Sequence, residues 1–244
     1  MSIQSLRSAV AFLTVIPVAA REGEPGARLG RAYFPAVGAL VGLVAGAVLV
    51  VVAAITTPML GAVVAVAVMA VLTGGLHLDG VADSADGLFG RGDRAQRLET
   101  MRDPRVGSYG AVALIVVLLG DVAALSALPP PKGVVALVIG GALSRWAMLG
   151  VVAFVPYVRT SGLGVAAAGG ANRAFDLVLG SALAALACLL DWRRALVAVL
   201  LVGLTALIVS SVARRRIGGA TGDIYGATTE LCQLAAMVAF VVHT

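Results

Sequence analysis

The sequence predicts an all-α fold: a polytopic integral membrane helical bundle with about seven transmembrane helices plus an N-terminal interfacial or re-entrant helix. Three observations carry this expectation. Of the 244 residues, 60% are hydrophobic and 13% charged, and the mean hydropathy is +1.00. An ordinary soluble domain carries roughly a quarter charged residues, and a water-soluble surface cannot hide so much apolar side chain. The apolar residues are also gathered into runs near the ~20 residues needed to cross a bilayer. Finally, the basic residues lie in the short segments between those runs, where membrane topology places them.

In chain order, the first run, 9 to 20, follows Arg7 and is interrupted by Pro17. It is short for a span, so an interfacial or re-entrant helix is the better reading. Runs at 34 to 57, 58 to 76, 109 to 128, 134 to 156, 195 to 213 and 227 to 243 are long enough to cross. A seventh, 176 to 190, is shorter and contains Ser181 and Cys188, but loop parity favours its crossing as well. With that arrangement one side receives Arg7, Arg21, Arg28, Arg31, the arginines from 91 to 105, Arg159, Arg173 and Arg214 to Arg216. The other receives only Lys132, Arg193 and Arg194, so the first side is expected to be cytoplasmic and the protein to sit in the cell membrane among lipids. Runs of Gly, Ala and Val suit close helix packing in lipid.

The net charge of +5 is explained by this topology, and nucleic acid is not expected as a partner. Cys188 and Cys232 lie within apolar stretches, without zinc-site or disulfide-framework spacing, and read as small packing residues.

The few acids make their positions informative. Residues 73 to 110 hold six of the 13 acidic side chains and five arginines. At 100° per residue, Asp79, Asp83 and Asp86 fall within an arc of about 60° if one helix runs through them. Ionised carboxylates crowded at a bilayer boundary repel one another, and a divalent cation resolves the conflict. Oxygen-only ligands favour Mg²⁺, Mn²⁺ or Ca²⁺ over zinc, and Mg²⁺ is commonly shared between carboxylates and substrate phosphates. Asp79, Asp83 and Asp86 are therefore the expected metal ligands, with Arg91, Arg94, Arg97, Arg102 and Arg105 as phosphate-binding forks. Asp93 with Gln96 has the pattern of a capping box opening a short basic helix over 94 to 102. Asp103, just before Pro104, is both a turn candidate and a substrate-binding candidate. His77 falls on a different helical face from the acids, facing a substrate phosphate or hydroxyl.

Two further loops share the same membrane face. PYVRTSGLG, 156 to 164, offers Tyr157 and Arg159 to a phosphate or a ring, and GGATGDIYGATTE, 218 to 230, sets Asp223 among glycines before the last span. Arg159 and Asp223 join the substrate-binding candidates. Arg145 and Asp121 are charges at membrane depth, expected to face the bundle interior and partners there.

The string GGLHLDGVADSADGL (74 to 88), followed by ETMRDPRVGSYG (99 to 110) and TGDIYGA (221 to 227), resembles the cobalamin synthase, or adenosylcobinamide-GDP ribazoletransferase, family. FLTVIPV (12 to 18), FPAVGALVG (34 to 42) and the chain length extend the resemblance over most of the sequence. It implies a single integral membrane transferase domain, 1 to 244, with 77 to 108 as a cytoplasmic acidic catalytic segment. It further implies Mg²⁺-dependent transfer of a cobinamide-phosphate group from adenosylcobinamide-GDP to α-ribazole or its 5′-phosphate, releasing GMP. Asp79, Asp83, Asp86 and His77 are then the catalytic candidates, and self-association as a homo-oligomer is compatible with such a chain. A CDP-alcohol phosphatidyltransferase-like enzyme is the alternative within enzymes, but Asp83 stands where that pattern has an arginine. A membrane transporter is the alternative outside them, and it is disfavoured because the acids cluster at one aqueous face rather than at the bilayer midplane.

Overall fold

The computed structural model describes residues 3 to 18, 29 to 169 and 172 to 242. Arg21 and Arg28, two of the expected inner-face arginines, lie outside them. The described residues form eleven α-helices and no strand, and one isolated bridge pairs Tyr157 with Ala220. In order these are α1 (Ile3–Leu13), α2 (Phe34–Ile55), α3 (Pro58–Leu72), α4 (Leu76–Phe89), α5 (Arg94–Thr100), α6 (Ser108–Ser126), α7 (Pro130–Phe154), α8 (Leu163–Ala168), α9 (Arg173–Cys188), α10 (Trp192–Ile217) and α11 (Gly222–Val241).

Five helical segments are long and apolar enough to cross a membrane, six if α3 and α4 count as one bent span. One of the five, 173 to 217, has 45 residues, about 68 Å at 1.5 Å per residue and far longer than one crossing. It folds back at the 3-10 turn Leu189–Asp191, where Asp191 leaves helical geometry at φ −153° and ψ 80°. The two ends return to the same end of the bundle. Arg31, just before α2, binds Asp176 of α9 at 2.7 Å, and Arg214 of α10 donates to the Phe154 carbonyl that ends α7. Counting this segment as two passes, and the bent pair as one, agrees with the seven expected.

Small residues set the packing. α2 and α7 run antiparallel in such close contact that a methyl group at Gly38 would overlap the Gly141 carbonyl, and one at Gly42 the Leu137 carbonyl. In lipid, where burial of apolar surface gives little net drive between helices, this close approach supplies the dispersion contact that holds a bundle together. α7 is the most enclosed of these helices, with α2, α9, α10 and α11 around it. Leu137, Ile139, Leu143 and Phe240 form the membrane-depth core, and Phe34, Met148, Ile217 and Ile224 a second core toward the end where α4 lies.

One expectation changes. The apolar run 58 to 76 does not continue straight into the acidic segment: α3 stops at Leu72, and α4 leaves it at 90°. Gly74 and Gly75 both have positive φ, 61° and 68°, a conformation that costs any residue with a Cβ ~1–2 kcal/mol. The Thr73 hydroxyl meanwhile donates to the Met69 carbonyl, closing the last turn of α3. α4 therefore slants across the end of the bundle, packed on α11 and α6, instead of extending a span outward.

Candidate active site

α4 is a continuous helix through Asp79, Asp83 and Asp86, so the three acids share a face as their spacing predicts. A fourth joins them from α11. Gly80 lies against the backbone of Asp223 and Gly226, while Gly226 lies against the backbone of His77 and Gly80. A Cβ at Gly80 would overlap the Asp223 carbonyl and one at Gly226 would crowd His77, so the two helices meet backbone to backbone and Asp223 is carried to α4. The Asp83 carboxyl then feels the negative charges of Asp79, Asp223 and Asp86, with Arg159 as the opposing positive charge. Arg159 binds Asp223 at 2.9 Å and donates to the Met101 carbonyl at 3.1 Å.

The three α4 acids are not equivalent. Asp79 is exposed and Asp83 half-buried. Asp86 instead accepts the backbone N–H of Gly107 at 2.7 Å and of Gly110 at 2.9 Å. It thus caps the start of α6, and a Cβ at either glycine would collide with its carboxylate. Its oxygens keep further lone pairs, so this does not remove it from a ligand set. Among the described residues no three acidic, histidine or cysteine side chains stand close enough together, as they lie, to hold a metal ion. The donor set is nevertheless all oxygen and crowded with negative charge, the chemistry that suits a hard divalent cation.

The arginines divide in the same way. Arg91, Arg102, Arg105 and Arg159 line an open basin of about 1270 Å³ between α5, the 102 to 105 turn and the 158 to 160 loop. Arg97 does not. It is buried and donates to the carbonyls of Gly87 at 3.0 Å and Leu88 at 2.7 Å, closing the C-terminus of α4, so it is a structural cation rather than a phosphate fork. Arg94 turns its guanidinium over Gly218, the left-handed residue that ends α10. The capping box of Asp93 and Gln96 forms as expected and starts α5. Asp103 is a turn residue: it accepts from the Arg105 backbone and, at 2.7 and 2.9 Å, from the Arg105 side chain. Those hydrogen bonds hold its carboxyl down at about 2.

A smaller cavity of about 190 Å³ opens beside Asp79, Arg159 and Asp223. Arg159 lines both spaces and stands between them. Tyr157 borders the smaller one, and burial pushes its phenol up, keeping it a neutral donor. His77 lines it too, on the face of α4 away from the acids as predicted. Its Nδ1 lies 3.5 Å from Arg145 and 3.7 Å from Glu230. Arg145 donates to Gln233 at 2.5 Å and to Ser144 at 3.1 Å, while Asp121 is buried near Glu230. The partner of Arg145 is thus an amide on α11, with Glu230 as the nearby charge.

Sequence reasoning passed over Tyr225 and Glu230 as site residues. Tyr225 also lines the small cavity and lies two residues beyond Asp223, inside the TGDIYGA string. That position was the available signal. The contact of Glu230 with His77 spans two distant segments and has no local signature.

A family model described as cobalamin-5-phosphate synthase matches residues 5–241. A protein of Sinorhizobium medicae named adenosylcobinamide-GDP ribazoletransferase is 42% identical over 243 residues, covering 93% of this chain and 92% of its own. Proteins of the same name from Stutzerimonas stutzeri and Bradyrhizobium diazoefficiens are 39% and 37% identical, and the matches cover 94% and 98% of this chain and 94% of each relative. No solved structure matches the chain.

Proposed function

The chain belongs to the cobalamin-5-phosphate synthase family, and we propose that it performs that family's transfer with Mg²⁺ held by the acids that α4 and α11 bring face to face. The reaction is the final assembly of cobalamin, in which the cobinamide-phosphate group of adenosylcobinamide-GDP passes to α-ribazole or its 5′-phosphate and GMP leaves. This assignment sets aside both the lipid-transferase and the transporter readings.

The observation that supports a cation is the crowding of Asp79, Asp83 and Asp223, with Asp86 beyond, around a single arginine. Asp79, Asp83 and Asp86 would be the ligands from α4, with Asp223 facing them from α11. When bound, the cation supplies Lewis-acid neutralisation of the diphosphate and of the leaving GMP. The remaining steps belong to the chain. Arg159, between basin and cavity, orients the diphosphate with its planar fork, and Arg91 and Arg102 bind the donor in the basin. The ribazole hydroxyl oxygen forms a bond to the cobinamide-side phosphorus. The bond from that phosphorus to the bridging oxygen breaks, and GMP departs with the bridging oxygen and its electron pair. The hydroxyl proton passes to a carboxylate of the cluster. Alignment of these groups contributes alongside charge neutralisation, because phosphoryl transfer is chiefly positioning and electrostatics.

The proposed location is the cell membrane, with this end of the bundle facing the cytoplasm, since the described arginines Arg7, Arg31, Arg91 to Arg105, Arg159, Arg173 and Arg214 to Arg216 gather there. The test is turnover by purified protein given adenosylcobinamide-GDP and α-ribazole, with GMP and the corrinoid product both measured. Transfer that stops with EDTA and returns with Mg²⁺ supports the reading, and undiminished transfer after chelation overturns its metal component.

A further inference from the structure

The transfer chemistry leaves the inner part of the small cavity unused. At about 190 Å³ it is smaller than the ~300–1,000 Å³ of sites that take drug-sized molecules, so a corrin ring or a whole nucleotide does not fit, whereas one fused-ring heterocycle does. Phe12, Leu76 and Met148 give it apolar walls. The Tyr157 and Tyr225 rings, 5.7 Å apart and stacked, add an aromatic side. Two of the lining residues carry buried polar atoms. His77 and Tyr225 are 2% and 3% exposed, and among the described residues neither His77 Nε2 nor Tyr225 Oη has a hydrogen-bond partner. Buried polar atoms in proteins are nearly always paired, so two on residues lining one cavity point to a ligand that pairs them. His77 Nδ1 faces Arg145 at 3.5 Å and Glu230 at 3.7 Å; when it accepts from the nearer Arg145, which only donates, the ring hydrogen is on Nε2.

We propose that this cavity seats the heteroaromatic base of the ribazole acceptor. The base enters between the tyrosines and the apolar wall, and its free ring nitrogen accepts a hydrogen bond from Tyr225 Oη or His77 Nε2. Its ribose is left at the rim beside Asp79, Asp223 and Arg159, where the hydroxyl meets the donor. The proposal rests on the transferase reading above. The guanine of the donor is the other flat ring in the reaction. Its N1–H and amino group would find acceptors only in the Asp79 and Asp223 carboxylates at the rim, and deeper in they would lie against Leu76, Met148 and Phe12, which accept nothing. A benzimidazole has only the one free ring nitrogen to satisfy.

The test uses steady-state kinetics of the full-length protein in detergent, with the KM of each substrate measured separately. Tyr225→Phe keeps the ring and removes the hydroxyl. The KM for α-ribazole is expected to rise about 3- to 10-fold, the effect of one neutral hydrogen bond, while the KM for adenosylcobinamide-GDP is unchanged. A second arm needs no variant: the wild-type protein should discriminate by a similar factor against an indole riboside, which has a C–H in place of the free ring nitrogen, and Tyr225→Phe should narrow that gap. A rise in the donor KM alone would place guanine in the cavity instead, and equal use of both ribosides by the wild type would show that the ring nitrogen has no partner there. Either result overturns the proposal. Failure of the transferase reading itself is separate, because the wild type would then release no GMP from the two substrates.

Discussion

Replacing Asp86 with alanine separates the two roles open to the acids of α4. Its carboxylate accepts the Gly107 amide at 2.7 Å and the Gly110 amide at 2.9 Å, the first exposed and the second partly buried. A hydrogen bond to a charged group contributes ~1.5–3 kcal/mol, so the more enclosed Gly110 bond counts in full. At the exposed Gly107 amide water substitutes, and the loss is nearer the ~0.5–1 kcal/mol of a weak cap. Together Asp86→Ala should cost about 2–4 kcal/mol. At ~2–4 °C per kcal/mol for a chain of this size, the melting temperature should fall by roughly 5–15 °C. Asp86→Asn keeps one acceptor oxygen and should lose about half as much. Asp83→Asn is the control: the Asp83 side chain makes no hydrogen bond among the described residues and sits among like charges, so neutralising it should leave the melting temperature unchanged or higher while transfer is lost. The assay is thermal unfolding of detergent-purified variants followed by tryptophan fluorescence, with turnover measured in parallel. If Asp86→Ala melts within a degree or so of wild type, or Asp83→Asn is the less stable of the two, the division of roles is wrong.

Other substitutions test the placement of the cations and the helix seams. Arg102→Ala, on the basin wall, should raise the KM for adenosylcobinamide-GDP several-fold, whereas Arg94→Ala, whose guanidinium lies over Gly218, should change it little; equal effects would move the donor site. Arg97→Met leaves the Gly87 and Leu88 carbonyls without their buried donor and should destabilise by about 2–4 kcal/mol, seen as faster amide exchange at the end of α4 with donor KM unaltered. Gly141→Leu, which has no room against Gly38, should cut the yield of folded protein in membranes, and wild-type expression would show that the α2–α7 seam can open without cost.

The spans were legible because hydropathy reports directly on whether a segment is stable in lipid, and α9, whose 16 residues make a weak run, forms a helix over the stretch where loop parity asked for one. The bend after α3 was less so. A Thr-Gly-Gly sequence at the end of an apolar run is compatible with close packing or with a left-handed stop, and only the positive φ of both glycines decides between them. The shared face of Asp79, Asp83 and Asp86 follows from local periodicity and could be read. Their inequality could not, because Asp86 is distinguished by amides 21 and 24 residues further on. Arg97 looked like its neighbours for the same reason: its carbonyl partners belong to the preceding helix. Asp223 was marked by its motif, but its meeting with α4 depends on the facing Gly80 and Gly226, a contact between segments far apart in sequence.

The central claim is that carboxylates from α4 and α11 jointly grip a divalent cation for the transfer. Mn²⁺, a paramagnetic substitute for Mg²⁺, tests it most directly by equilibrium binding to the purified protein, read from the loss of the free-ion electron paramagnetic resonance signal. Wild type should bind saturably, and Asp83→Asn and Asp223→Asn should each weaken binding at least about tenfold, the effect of one lost ligand worth ~1.4 kcal/mol, with GMP release falling in step. Wild-type affinity retained in both variants, or binding lost while GMP release continues, would contradict the account.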